Sequence, residues 1–138
     1  ERDAILETVD QRVKGQFDEV IIYSFDSESG DGLLDLLPQS ATKQTALEYV
    51  SDALGIAKTE VVFCGDSGND IYPLTAGFRG VLVRNADEQL VAGVKQELEN
   101  NPQVVVYFAK GGCKGLNGYY TGGVIEGAYH YELFQEDD

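Results

Sequence analysis

The sequence predicts an α/β fold built around a mostly parallel sheet, and three observations predict it. From residue 41 onward helical and strand patterns alternate: helix, strand, helix, strand, helix, strand, helix. The run Val61-Val62-Phe63-Cys64 is apolar at every position, as expected of a parallel strand covered on both faces. The segment before residue 41 reads helix, strand, strand, which breaks the alternation and assigns it to another layer or subdomain.

Each element has its own warrant. Ile5, Leu6, Val9 and Val13 recur at helical spacing, so a helix is expected over residues 3–14, with Gly15 as its stop. The β-branched run Val20-Ile21-Ile22-Tyr23 reads as a strand. A polar loop, Ser27 to Gly32, leads to a second strand from Leu33 to Leu37, closed by Pro38. Ser40 is placed to cap a helix whose apolar stripe is Ala46, Leu47, Val50 and Leu54, ended by Gly55. Gly80 to Val83 and Val104 to Phe108 are further strands, with a helix marked by Leu90, Val91, Val94 and Leu98 between them. Seven of the 16 glycines fall between 111 and 127, which predicts a flexible loop before the last helix.

Composition narrows the function. The chain has 138 residues and reads as one domain or part of one. Its formal charge of −14 repels phosphodiester backbones and anionic lipid, so neither a nucleic-acid nor a membrane partner is expected. A hydrophobic share of 43%, with 8 Tyr and 6 Phe, is too rich for a disordered acidic tail. No apolar run reaches the roughly 18 residues of a membrane span. Two cysteines make no disulfide framework, which points to a reducing cytoplasm. Met is absent even at position 1, so the chain is expected to be a piece of a longer one.

Chemistry concentrates in Gly65-Asp66-Ser67-Gly68-Asn69-Asp70, directly after the apolar strand. Ligands of open α/β sheets bind at the carboxyl ends of the strands. Two carboxylates four residues apart on a Gly-containing turn suit one hard cation, and Mg²⁺ takes one or two carboxylates alongside its waters. Asn69 adds a neutral donor for a phosphate oxygen. The competing interpretation is an acidic turn in which Asp66 or Asp70 caps a helix. Upstream, Lys43 falls in the first turn of a helix, the end that prefers anions. A cation there points to a phosphate or carboxylate partner. A solvated surface lysine is the bland alternative.

Together these stretches resemble the haloacid dehalogenase (HAD) superfamily of phosphatases, and within it the sucrose-phosphatase-like branch. The matching text is Leu34-Asp35-Leu36-Leu37-Pro38, Ala41-x-Lys43-x-x-Ala46-Leu47, Phe63 to Asp70, and more loosely Val83-x-Asn85-Ala86. The resemblance implies a three-layer, Rossmann-like parallel sheet, here its carboxyl-terminal half, with a remnant of an α+β cap. Residues 1–36 would be the last helix–strand–strand of the cap, and 37–138 the second half of the core. It implies that Lys43 neutralises the phosphoryl group, that Asp66 binds Mg²⁺ with Asp70 supporting it, and that Asn69 contacts the phosphoryl region. Asn85, with Arg84 beside it, would lie at a strand end facing substrate. The implied function is Mg²⁺-dependent hydrolysis of a sugar phosphate such as sucrose phosphate. The alternative is a non-catalytic phosphatase-like module, as in fusions to sucrose-phosphate synthase.

The family also needs an Asp-x-Asp nucleophile on its first strand. The nearest text is Phe25-Asp26-Ser27-Glu28-Ser29, which has Glu28 where the second Asp belongs. The family pattern puts this strand in the cap, so Asp26 reads as a cap-loop residue. The nucleophile-bearing half is therefore expected to lie outside this sequence. Its first strand would pair beside Val61–Cys64, which leaves an open edge. Self-association, or pairing with the missing amino-terminal half, follows. His130 reads as a packed helical residue, Cys64 as a small core residue, and Cys113 as a loop thiol without ligand partners.

Overall fold

The structure, a computed structural model, describes residues 2–16, 18–25 and 29–134. Asp26, weighed above as the nucleophile candidate, and Glu28, which stands where the second Asp of that motif belongs, lie outside the described residues.

The opening helix α1 (Arg2–Val13) precedes an antiparallel hairpin of β1 (Glu19–Phe25) and β2 (Gly32–Pro38), with Glu19 opposite Pro38 and Phe25 opposite Gly32. These two strands form a sheet of their own. The alternating part follows as α2 (Lys43–Leu54), β3 (Val62–Gly65), α3 (Ile71–Thr75), β4 (Arg79–Leu82), α4 (Glu88–Asn100), β5 (Val105–Phe108) and α5 (Thr121–His130). Strands β3, β4 and β5 pair in parallel in that order, so the alternation read from residue 41 is the alternation observed. Among the described residues no helix is long and apolar enough to cross a membrane.

The core sits on β4, whose Gly80, Val81 and Leu82 are all buried. On one face Leu74 of α3 and Leu90 and Val94 of α4 close over Leu82, with Phe63, Val106 and Phe108 packed around them. On the other face α5 lies so near the sheet that a Cβ on Gly127 would strike the Val81 side chain. Only glycine allows that approach.

Four expectations change. Thr42, not Ser40, caps α2: its hydroxyl accepts from Thr45 N at 3.2 Å while Thr42 N donates to the Thr45 hydroxyl at 2.9 Å. The reciprocal bond selects the later residue. The strand expected to be buried on both faces is half-buried at Val62, Phe63 and Cys64, because β3 is an edge strand of the described sheet. The predicted α2 stripe is largely bare: Val50 is 50% and Leu54 66% exposed, and Ala46 is exposed too. No described element covers it. Finally, the Gly-rich segment is tied down by a 3-10 turn at Cys113–Gly115 and by bonds to α5 described below.

Candidate functional site

The loop after β3 carries the acidic turn, and its first requirement is space. A Cβ on Gly65 would lie 2.6 Å from Asp70 Cβ, so the strand end must be glycine for Asp70 to fold back against it. Asp70 does so as the last residue of a 3-10 turn, Gly68–Asp70, and is buried. Its Oδ2 accepts from the backbone N of Asp66 at 3.0 Å and of Ser67 at 3.2 Å. Its Oδ1 accepts from Lys43 Nζ at 2.6 Å, a pair that is buried on the carboxylate side and half-exposed on the lysine side. A buried carboxylate needs such partners, since desolvation without them would cost several kcal/mol. Strand β1 also runs beside this turn.

Lys43 bridges two acceptors, reaching Asn69 Oδ1 at 2.8 Å as well. The Ser67 hydroxyl donates to the same Oδ1 at 2.9 Å. Two donors on one oxygen fix the amide orientation, which leaves Asn69 Nδ2 as its outward donor. Lys43, Asn69 and Asp70, 27 residues apart at the extremes, thus form one cluster.

Asp66 differs from Asp70 in every respect that matters for a cation. It is exposed, and its carboxylate has no hydrogen-bond or ion-pair partner among the described residues. Its backbone is fixed, because Asp66 O accepts from Asp87 N at 2.8 Å. No group of three His, Cys, Asp or Glu side chains forms a ready metal cage among the described residues. One free carboxylate beside fixed main-chain groups still fits a hydrated Mg²⁺, which keeps several waters. Asp70, with both oxygens taken by donors, acts here as the brace of the turn.

Asn85 stands apart from the lysine cluster. Its Oδ1 accepts from Tyr120 N at 2.8 Å, so this amide ties the end of β4 to the start of α5. Nearby, Arg84 N donates to Gly118 O at 2.9 Å, and the Arg84 guanidinium reaches Asn117 O at 3.2 Å and lies over the Tyr119 ring. Tyr120 has φ 46° and ψ −125°, a region suited to glycine. For a bulky residue that conformation costs about 1–3 kcal/mol. Tyr120 and Asp66 line one open cavity of about 130 Å³, with Cys64, Gly65, Val83 and Val124 as the other walls. Burial pushes the Cys64 thiol pKa up, which keeps it a protonated wall residue at neutral pH.

Glu126 was not legible as a functional residue, yet it organises the loop behind the cavity. Buried in α5, it accepts from the Tyr107 hydroxyl at 2.8 Å, Lys110 N at 2.7 Å and Gly111 N at 2.8 Å. Burial opposes its ionisation, but these donors together hold its carboxyl below the usual glutamate value. Tyr107, desolvated and bonded to Glu126, is pushed up to about 12. The one available signal was a lone Glu within the apolar, Gly-rich run Gly122 to Ala128. His130 stacks on Tyr107 with ring centroids 3.9 Å apart, a packing role.

Comparison with known proteins gives a consistent outcome. The family model for sucrose-6F-phosphate phosphohydrolase matches residues 1–132. A putative HAD-like hydrolase of Nitrosococcus oceani is 41% identical over 110 residues, which is 80% of this chain and 30% of that protein. A probable sucrose-phosphatase 2 of Arabidopsis thaliana is 35% identical over 126 residues, 88% of this chain and 26% of that protein. The crystal structure of a sucrose-phosphatase from Synechocystis sp. PCC6803, in complex with sucrose and phosphate, superposes with a TM-score of 0.73 at 28% identity. It covers 93% of this chain and 46% of that one. The chain therefore spans about a third or less of these two curated relatives and under half of the solved enzyme.

Proposed function

Because the chain belongs to the sucrose-6F-phosphate phosphohydrolase family and has the HAD-like α/β fold, we propose that it carries the phosphoryl-stabilising half of a sugar-phosphate phosphatase. The observation that carries this reading is the Lys43 ammonium, held at 2.6 Å and 2.8 Å on the acidic turn at the end of β3. Phosphoryl transfer spreads negative charge over equatorial oxygens, so positioned cations and donors supply most of the catalysis. Lys43 offers the fixed positive charge, and Asn69 Nδ2 offers a neutral donor beside it. Asp66 would hold Mg²⁺, with Asp70 bracing the backbone that presents Asp66. When bound, that ion adds positive charge against the phosphoryl oxygens.

In this reading residues 1–36 belong to a cap subdomain and residues 37–138 to the core, and the protein works in a reducing cytoplasm. The separate β1–β2 sheet supports the first of these points. The attacking oxygen comes from a segment other than the Lys43 cluster. A second polypeptide, either another copy or the segment with the rest of the fold, covers the open edge of β3 and the bare stripe of α2.

The test is turnover of sugar phosphates with Mg²⁺. The 138-residue chain alone should be inactive, because Lys43 and Asp66 stabilise charge but provide no attacking group. A full-length protein should be active, and Asp66→Asn should remove most of its Mg²⁺-dependent rate. Near-normal activity of Asp66→Asn at ordinary Mg²⁺ would sink the metal assignment, and a full-length protein inert toward every phosphate ester would sink the function.

A further inference from the structure

The conformation of Tyr120 is hard to justify by stability alone. Its backbone sits in a glycine-like region, although glycine occupies 118, 122 and 123 close by. Its side chain is 62% exposed, so burial does not offset the strain. The fold nonetheless holds it firmly. Asn85 Oδ1 takes the Tyr120 amide, Gly123 N and Val124 N donate to Tyr120 O at 3.0 Å and 3.1 Å, and Arg84 N binds Gly118 O two residues upstream. Strain maintained by the surroundings, at a cavity shared with Asp66, is the usual mark of a residue kept for what its side chain does.

We propose that Tyr120 contacts the organic part of the phosphate ester, and that Asn85 is its positioning residue rather than a phosphate ligand. This rests on the sugar-phosphate reading above. The cavity is open to solvent and is lined by both Asp66 and Tyr120, so an ester whose phosphoryl group sits beside Asp66 brings its organic part within reach of the exposed Tyr120 side chain. An aromatic face with a polar tip suits a sugar, which offers apolar C–H edges and hydroxyls together. Asn85 acts through its carbonyl oxygen, which is already taken by the Tyr120 amide.

The experiment compares kcat/KM for a hexose phosphate and for methyl phosphate in the full-length protein. Tyr120→Gly should lower the hexose-to-methyl ratio about tenfold, chiefly through KM, while Tyr120→Phe keeps the ratio. The same Tyr120→Gly should raise the thermal midpoint, because glycine adopts the conformation without strain. Asn85→Ala should lower the ratio in the presence of Tyr120 and should lower it no further when combined with Tyr120→Gly. A Tyr120→Gly ratio equal to wild type, equal losses on both esters, or additive effects of the two substitutions would overturn the proposal. A wild-type protein that hydrolyses neither ester overturns the parent function and this inference with it, and that result appears before any variant is made.

Discussion

The two ends of this chain solve the burial problem differently. Of the eleven buried hydrophobic residues described, ten lie at or beyond Leu74, and Ile22 alone belongs to the helix–hairpin segment. The hairpin has a complete seven-pair register but leaves Leu33 50% and Leu36 47% exposed. Its integrity rests on strand pairing, which is marginal in water when only two strands take part. The β3–β4–β5 layer instead has short strands of four residues each, clamped between helices. The acidic turn Gly68–Asp70 has the second kind of support: it follows the end of β3, and β1 of the hairpin runs beside it.

The sharpest way to break this contrast is a pair of truncations. Leu74→Ala, at 0% exposure, should cost about 2–5 kcal/mol, whereas Leu36→Ala should stay within about 0.5–1 kcal/mol. Denaturant unfolding of both variants checks it, and equal costs would mean the hairpin carries the fold as much as the core does. Next in size comes the contrast within the acidic turn. Asp70→Ala removes one of the two acceptors of Lys43 and strands two backbone amides, and should cost about 1–3 kcal/mol. Asp66→Ala, at an exposed unpaired carboxylate, should leave stability within about 0.5 kcal/mol. Equal destabilisation would show Asp66 to be structural as well.

The smallest effect concerns the edge. A charge of −14 opposes self-association, but at 0.15 M salt it is screened beyond about 8 Å, and strand pairing acts at shorter range. Light scattering should therefore show a dimer or larger species that strengthens as salt rises. A stable monomer at low and moderate salt would mean that β3 needs no neighbour.

How much of this was legible varies with the physics behind each signal. Periodicity and apolar runs mark burial, so β4, α4 and their order could be read from Leu90, Val94 and the strand residues beside them. Lys43 was legible because a cation at a helix start is electrostatically out of place. The distinction between Asp66 and Asp70 was not, since it depends on which carboxylate meets the amides of residues 66 and 67 in space. The exposure of Val50 and Leu54 escaped because amphipathic spacing marks a sticky face without saying what covers it. Asn85 stood out in the sequence as a strand-end residue facing substrate, but its bond to the Tyr120 amide did not, and Tyr120 gave no signal: positive φ is encoded by glycine, and here a tyrosine adopts it with a contact made 35 residues away.

The partners of Asp70 also differ in when they can be found. The amides of residues 66 and 67 lie three or four positions away, so that half of the arrangement can close as soon as the turn forms. Lys43 lies 27 positions upstream and meets the carboxylate only after a loop has been closed around α2 and β3. Without α2 the turn therefore presents the two carboxylates of Asp66 and Asp70 and no cation, and docking of that one helix lowers its formal charge from −2 to −1 while giving Asp70 its only charged partner among the described residues.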